Sequence, residues 1–312
     1  MTSAVVFAYH NVGVRCFRVL LAHRIDVALV VTHADDPRET LWFDSVAHTA
    51  DEYSIATIAP DDPNASNLVS RITALAPDFL FSFYYRKMLK APLLAAARRG
   101  ALNMHGSLLP RYRGRAPVNW AVLHGERATG ATLHYMSAKP DQGDIVAQTA
   151  VPILPDDTAR EVFDKVTVAA ELTLDRALPA LIGGTAPRVT QDPAAASYFG
   201  GRTPEDGTID WNRDAVTIHN LVRAVAPPYP GAFTAVGGVA ARVLRTRVVD
   251  AATPRTLTPT IDAGDGRLLA HCGGGGTLHV LSLEVDGTAI SASGFAARFG
   301  PAPVALGGAM AQ

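Results

Sequence analysis

The sequence has 312 residues, 48% of them hydrophobic and 18% charged, and it carries a formal net charge of −1. This composition predicts a globular protein of two domains, and the balanced charge argues against a nucleic-acid partner or an anionic membrane surface. The two cysteines, Cys16 and Cys272, lie far apart without a CxxC pattern, so neither a disulfide framework nor a structural zinc site is expected.

The first ten residues have no basic stretch ahead of their apolar residues, unlike a secretory signal peptide. No apolar run approaches the roughly 20 residues that a membrane-spanning helix needs. We therefore expect a cytoplasmic protein without a membrane partner.

The first half of the chain alternates short apolar runs with amphipathic stretches. The apolar runs predict strands at residues 4–8, 27–32, 79–83 and 101–104. The amphipathic stretches predict helices at residues 14–22, 45–52, 67–75, 92–98 and 158–181, the last with a capping sequence at its start. This alternation predicts an α/β domain with a mostly parallel sheet, whose ligands bind beyond the carboxyl ends of the strands.

The second half has a different pattern. A stretch rich in Gly, Pro and Ala at residues 183–204 has the composition of a linker, and a helix is predicted at residues 214–225. Short β-type runs follow at residues 232–236, 240–249, 267–271 and 278–285, which is typical of a small β-barrel or sandwich. The glycine run at residues 273–276 is interpreted as a hairpin tip, since no helix follows it to form a phosphate loop.

These patterns predict four segments. Residues 1–185 form the catalytic domain, residues 186–205 a linker, residues 206–305 a β-rich domain and residues 306–312 a tail.

The residues most suggestive of chemistry lie at the end of the predicted strand at 101–104 and just beyond it. Asn103 and His105 are two apart in an extended chain, so their side chains point to the same side. Histidine can take a proton from an attacking amine near neutral pH, and the amide of Asn103 can donate to an oxyanion. A carboxylate such as Asp141 would orient the imidazole, although Asp144 is an alternative. A histidine after a strand is also a common structural residue, so these features by themselves leave the function open.

The same segment resembles the folate-dependent formyltransferase family. The resemblance is carried by Asn103-Met-His105, Ser107-Leu-Leu-Pro110 and Asp141-Gln-Gly143. Within that family the chain is most similar to the formyltransferase half of the bifunctional UDP-4-amino-4-deoxy-L-arabinose enzyme. The matching sequence segments are VVFAYH at residues 5–10, FSFYYR at 81–86, HGSLLPRYRGRAPVNW at 105–120 and VRAVAPPYPGAF at 222–233.

The resemblance implies a fold, a reaction and a site. It implies a Rossmann-like, mostly parallel sheet (the formyltransferase fold) followed by a small OB-like β-barrel. It also implies 10-formyltetrahydrofolate as formyl donor, no metal, and the amine of a nucleotide-linked sugar as acceptor, with UDP-4-amino-4-deoxy-L-arabinose as the best single candidate. With that acceptor, the product would serve lipid A modification.

Residue by residue, the resemblance makes His105 the general acid/base and Asn103 the oxyanion stabiliser, with Asp141 raising the pKa of His105. No covalent intermediate is implied. The residues expected to line the folate pocket are Lys87, Met88, Leu89, Arg115, Ser137, Ala138, Lys139, Pro140 and Asp141.

Arg111, Arg113 and Arg115 form a basic loop beside this predicted site. Such a loop is either simply solvated or available to the glutamate tail of a folate or to a substrate phosphate, because guanidinium groups suit both anions.

Three other functions remain as alternatives. Methionyl-tRNA formyltransferase resembles the chain across the same motifs, but eight arginines balance eight acidic residues from Asp206 to Gln312, which disfavours a tRNA-binding surface. A non-catalytic folate-binding protein of the same fold and a formyl hydrolase are the others. The chain ends without the dehydrogenase half of the bifunctional relative, so we expect a monomer or weak homodimer, with decarboxylation either absent or supplied by another protein.

Overall fold

The computed structural model describes residues 1–37 and 41–307. Its contacts divide the chain into two compact units, and the chain passes between them more than once. The first unit contains residues 1–117, 128–152 and 163–200, and the second contains residues 118–127, 153–162 and the chain from residue 201 onward. No helix in the described part of the chain is both long and apolar enough to cross a membrane.

The first unit is built on a seven-stranded sheet of order β3-β2-β1-β4-β5-β7-β8. Its first five strands are parallel, whereas β7 and β8 are antiparallel and form a hairpin at one edge. A separate parallel pair joins β6 to β9. The strands are β1 (Ser3–Ala8), β2 (Asp26–Val31), β3 (Thr57–Ile58), β4 (Phe79–Phe83), β5 (Gly100–His105), β6 (Arg113–Gly114), β7 (Ala128–Tyr135), β8 (Ile145–Pro152) and β9 (Tyr198–Phe199).

Among the described residues, four helices connect the parallel strands, a fifth precedes β7, and a sixth follows β8. They are α1 (His10–Ala22), α2 (Val46–Glu52), α3 (Ser66–Leu75), α4 (Ala91–Leu94), α5 (Pro117–Leu123) and α6 (Ala159–Gly183). The start of α6 is a capping box, because the backbone N–H of Thr158 donates to Glu161 Oε2 at 2.7 Å and the backbone N–H of Glu161 donates to Thr158 Oγ1 at 3.3 Å. The capping sequence predicted for this helix is therefore confirmed.

The strand β4 shows why the parallel sheet forms where the sequence predicts it. Its residues FLFSF are all buried, as expected for a central strand covered on both faces. Leu80 packs into a cluster with side chains from β1 and β2, including Val5 and Leu29. The rings of Phe81 and Phe83 stack with their centroids 5.6 Å apart. The predicted α/β class with a mostly parallel sheet is confirmed.

The segment at residues 186–200, expected to be linker, makes regular contacts within the first unit. Val189 forms an antiparallel bridge with Ile145, residues Pro193–Ala195 make one 3₁₀ turn, and β9 pairs with β6. We call residues 189–199 the strap, because they bind both the loop that contains Tyr112 and the turn that contains Asp141.

The second unit is an antiparallel sheet of order β10-β11-β14-β13-β12-β16, with β15 added beside β14. The sheet curls until its edges meet, since Val236 of β10 forms an antiparallel bridge with Leu306. A cluster of apolar side chains fills its interior. The elements are α7 (Ala215–Val225), β10 (Ala232–Val236), β11 (Val239–Asp250), β12 (Thr260–Gly264), β13 (Arg267–His271), β14 (Thr277–Val285), β15 (Thr288–Ala289), α8 (Ala292–Phe299) and β16 (Val304–Ala305), with a 3₁₀ turn at Pro204–Gly207.

Two smaller expectations concern this unit. The glycine run at residues 273–276 joins β13 to β14, so the predicted hairpin tip is confirmed. A Cβ atom on Gly274 would approach the backbone nitrogen of Asp214 to 2.4 Å, so this tip is packed rather than open to a ligand. Of the predicted tail, Leu306 is buried, and residues 308–312 lie outside the described residues.

Candidate active site

Asn103 and His105 lie at the carboxyl end of β5 and face the same side of the sheet, as their spacing predicts. His105 is 6% exposed and Asn103 is half-buried. Because β5 lies between β4 and β7, strands cover both of its edges, which holds the two side chains at a fixed separation. The sheet therefore supplies a rigid base for a histidine and an amide.

The imidazole of His105 lies between two acceptors. Its Nε2–H donates to the backbone carbonyl of Tyr112 at 2.8 Å, and its Nδ1 lies 3.6 Å from Asp141 Oδ1. Burial lowers the pKa of His105, and this effect outweighs Asp141 and the Tyr112 carbonyl, which both act to raise it. The ring is therefore neutral at physiological pH, and Nδ1 carries the lone pair that can accept a proton.

The carboxyl group of Asp141 is ionised although it is largely buried. Burial by itself would raise its pKa, but attraction to His105 and His134 in their protonated forms and the Gly114 N–H donor together hold the pKa well below its ordinary value. The Gly114 N–H donates to Asp141 Oδ2 at 2.8 Å. The backbone of Asp141 has φ +55°, in the left-handed region that costs a non-glycine residue roughly 1–2 kcal/mol. Surrounding contacts must hold this residue in place.

His134 is a second histidine in the site, and no motif in the sequence marks it. It pairs with Asn103 across β5 and β7, and Asn103 Nδ2 donates to its Nε2 at 3.1 Å. Its Nδ1–H donates to the carbonyl of Tyr135 at 2.8 Å, and its Nε2 lies 3.6 Å from Asp141 Oδ1. His134 thus orients the amide of Asn103 and leaves the second amide N–H available for an oxyanion.

Asp144, the alternative partner for His105, lies elsewhere. Its Oδ1 accepts from Thr190 Oγ1 at 3.1 Å. The geometry therefore groups Asn103, His105 and Asp141 and does not include Asp144.

The loop after β5 supplies the carbonyl that His105 uses. Ser107 Oγ donates to the carbonyl of Arg111 at 2.7 Å, and Tyr112 has φ +58°. The strap secures the loop from outside: the Tyr112 N–H donates to Ser197 Oγ at 2.8 Å, and the Tyr112 ring stacks on Phe199 at 5.1 Å.

Apart from Arg115, the residues expected to line a folate pocket lie in two segments. Lys87, Met88 and Leu89 follow β4, the strand beside β5. Lys87 Nζ donates to the carbonyl of Pro60 at 3.0 Å, Met88 is exposed, and the Leu89 side chain is buried in the core. Leu89 can therefore contact a ligand only through its backbone.

The second segment runs from Ser137 to Asp141. Its first four members, Ser137, Ala138, Lys139 and Pro140, are exposed, and Ser137 Oγ donates to the carbonyl of Lys139 at 2.9 Å. Among the residues that the structure describes, no group of three or more His, Cys, Asp and Glu side chains is placed to hold a metal ion.

The basic loop is not uniform. Arg111 and Arg115 are exposed, and the Arg115 N–H donates to the carbonyl of Phe199 at 3.0 Å. Arg113 is 7% exposed and donates to Gln191 Oε1 from both Nε and Nη2. The buried guanidinium of Arg113 is therefore a structural group, which corrects for this one arginine the expectation of a side chain either solvated or available to an anion.

These features together can perform acyl transfer. Neutral His105 can accept a proton, and the resulting imidazolium is stabilised by the Asp141 carboxylate and the Tyr112 carbonyl. Asn103 offers an N–H to a developing oxyanion.

Comparisons with known proteins agree with this chemistry. A family model described as formyl transferase matches residues 19–178, and a formyl transferase C-terminal domain model matches residues 202–300. The structure is similar to an N-formyltransferase from Helicobacter canadensis in complex with folinic acid and dTDP-3-aminofucose, with 18% identity and a TM-score of 0.70 over 90% of this chain and 99% of that chain.

Two further solved structures have related folds. The sugar 3N-formyltransferase WlaRD, in the presence of dTDP and 5-N-formyl-THF, is 17% identical with a TM-score of 0.71 over 93% of this chain and 98% of that chain. Glycinamide ribonucleotide transformylase 1 from Symbiobacterium toebii is 23% identical with a TM-score of 0.53 over 61% of this chain and 93% of that chain. At these identities the likenesses establish the fold.

Replacing Asp141 by Asn tests the electrostatics of the site. Because Asp141 raises the pKa of His105 against the larger effect of burial, Asp141→Asn should lower that pKa further. NMR titration of the His105 ring proton measures the shift. The matched control is Asp144→Asn, which should leave the His105 titration unchanged. A shift in the Asp144 variant alone would show that Asp144, and not Asp141, is the carboxylate partner of His105.

Proposed function

The chain belongs to the formyl transferase family, and we propose that it transfers the formyl group of 10-formyltetrahydrofolate to the amine of a nucleotide-linked amino sugar. The observation that carries the chemistry is the neutral, buried His105, held between the Tyr112 carbonyl and the ionised Asp141 beside the Asn103 amide. The proposed acceptor is UDP-4-amino-4-deoxy-L-arabinose.

The reaction is a direct transfer. The neutral amine attacks the formyl carbon, a C–N bond forms, and the carbonyl oxygen becomes an oxyanion to which Asn103 donates. His105 takes the proton that the amine nitrogen loses and returns it to N10 of the folate as the bond between N10 and the formyl carbon breaks. The products are an N-formyl sugar and tetrahydrofolate, and no side chain becomes acylated.

The site suits these reaction steps because His105 needs to carry a positive charge only briefly. In its resting state one N–H donates to Tyr112 and the other nitrogen has its lone pair free. When the ring is protonated, both N–H groups find acceptors, so the charged intermediate is stabilised without movement of the backbone.

The formyl donor is supported by the similar proteins. Two of them were solved with folinic acid or 5-N-formyl-THF. In this chain the segments 87–89 and 137–141, together with Arg115, are proposed to line the folate pocket, and the exposed Lys139 and Arg115 offer positive charge for a glutamate tail.

The acceptor class is supported by those proteins and by an aromatic group at the carboxyl edge of the sheet. One of the same two structures is a sugar 3N-formyltransferase in the presence of dTDP, and the other is an N-formyltransferase in complex with dTDP-3-aminofucose. In this chain the Tyr84 hydroxyl lies against Gly106, next to His105, since a Cβ on Gly106 would approach it to 2.0 Å. The centroid of Phe163 lies 5.6 Å from Tyr84 and 5.5 Å from Trp42. The three rings therefore form a continuous group that begins beside Gly106 and ends at the half-buried indole of Trp42.

Trp42 is the proposed stacking surface for the nucleobase. Its ring is fixed by His10 at 4.4 Å between centroids and by Phe163. An aromatic side chain stacked on a base contributes about 1–3 kcal/mol to binding. A nucleotide carries the only aromatic ring of such an acceptor, so this surface favours a nucleotide-linked sugar over a free sugar.

The acceptor is tested by turnover of 10-formyltetrahydrofolate by the purified protein, with products identified by mass spectrometry. UDP-4-amino-4-deoxy-L-arabinose, a dTDP-linked amino sugar, methionyl-tRNA and water alone are compared. We expect the highest kcat/KM and a formyl amide on the UDP sugar. A preference for the dTDP sugar would support a nucleotide-linked amino sugar as the acceptor class but contradict the proposed UDP sugar. Transfer only to methionyl-tRNA, or formate release without an acceptor, would overturn the function.

Truncating Trp42 tests the base-stacking surface. Trp42→Ala should raise KM for the nucleotide sugar by roughly 5- to 100-fold while kcat and the KM for the folate stay near wild type. Steady-state kinetics with each substrate varied in turn separate these effects. Tyr53→Ala, which removes an exposed aromatic ring at the end of α2, serves as the matched control and should change neither constant. An unchanged KM in the Trp42 variant would rule out this surface.

A further inference from the structure

Gln191 is a buried amide in the strap, inside the segment whose composition predicts a linker. It is 5% exposed. Burying a side-chain amide is unfavourable unless its polar atoms are hydrogen-bonded, so a glutamine at this position requires a specific set of partners.

Gln191 forms every hydrogen bond that an amide can form. Its Oε1 accepts from Arg113 Nε at 3.2 Å and from Arg113 Nη2 at 2.7 Å. Its Nε2 donates to the carbonyl of Asp141 at 2.9 Å and to the carbonyl of Gly143 at 2.7 Å. Reversing the amide would place its NH₂ against a guanidinium and its oxygen against two carbonyls, so the orientation is fixed.

The two carbonyls lie on either side of a tight turn. Asp141, with φ +55°, begins the turn, and Gly143 ends it against β7, where a Cβ would approach the carbonyl oxygen of Tyr135 to 1.8 Å. Gln191 therefore binds both ends of the turn that carries the Asp141 carboxylate.

Arg113 connects this turn to the loop on the other side of the site. Its neighbour Gly114 donates its N–H to Asp141 Oδ2, and β6 pairs with β9 of the strap. Within the described residues Arg113 makes no ion pair with a carboxylate, so Gln191 is the acceptor that its buried guanidinium uses. Gln191 thus binds the Asp141 backbone directly. Through Arg113 it also anchors the segment whose Gly114 N–H binds the Asp141 carboxylate.

We propose that Gln191, anchored by Arg113, is a positioning residue for formyl transfer that keeps the carboxylate of Asp141 at its place beside His105. The inference rests on the proposed function for its kinetic consequence. Independently of the reaction, we expect the Asp141–Gly143 turn to lose its position when Gln191 can no longer donate to the two carbonyls.

The test replaces Gln191 by Met, which has a similar length and forms none of the four hydrogen bonds. The expected result is a fall in kcat of roughly 10- to 100-fold, with the KM for the folate changed by less than about 3-fold, because a catalytic group displaced by about 1 Å can lose that much rate. The NMR titration of His105 should move in the direction that Asp141→Asn moves it, since the carboxylate retreats. Gln142→Met, at an exposed position of the same turn, is the matched control and should behave as wild type.

A lower melting temperature with unchanged kcat and unchanged His105 titration would assign Gln191 a merely structural role and overturn the inference. If the Met variant does not fold, Gln191→Glu keeps an acceptor for Arg113 but removes both donors to the turn, and it should show the same loss of kcat; normal kcat would again overturn the inference. If the wild-type protein transfers no formyl group to any acceptor, the proposed function fails, and the His105 titration of the Gln191 variants still decides the positioning role.

Discussion

A buried carboxylate beside a neutral imidazole is the interaction on which the rest of the site depends. The Gly114 N–H donates to the Asp141 carboxylate and compensates in part for its loss of water, and the pKa of this carboxyl group lies well below its ordinary value. His105 stays neutral because burial outweighs the attraction of that carboxylate. An acyl-transfer base needs this balance, since a ring that was already protonated could not take a proton from the attacking amine.

The fold satisfies this constraint with two kinds of support. The sheet fixes Asn103, His105 and His134 through the pairing of β5 with β7, which is rigid and holds side chains at known separations. The loop and turn that provide the Tyr112 carbonyl and Asp141 are irregular, and both have residues at positive φ. The strap stabilises these irregular segments by hydrogen bonds and ring stacking, so a segment far along the chain determines the geometry around His105.

Much of the fold was predictable from the sequence because buried parallel strands such as β4 are continuous apolar runs. Strand alternation predicts that Asn103 and His105 share a face of the sheet, whereas only the family resemblance favours Asp141 over Asp144. The hairpin of β7 and β8 and the role of His134 were missed, because cross-strand register cannot be read from one strand alone. Gln191 was missed because a Gly- and Pro-rich composition predicts a linker and contains no information on tertiary hydrogen bonds.

We propose that His105 and Asn103 together carry out the transfer of the formyl group. The most direct measurement is single-turnover formyl transfer by the wild type, His105→Ala and Asn103→Ala, with folate affinity and melting temperature measured on the same samples. We expect a rate about 10²- to 10⁴-fold lower for the His105 variant and about 10²- to 10³-fold lower for the Asn103 variant, with folding and folate binding nearly intact. A rate near that of the wild type in either variant would contradict the assigned roles.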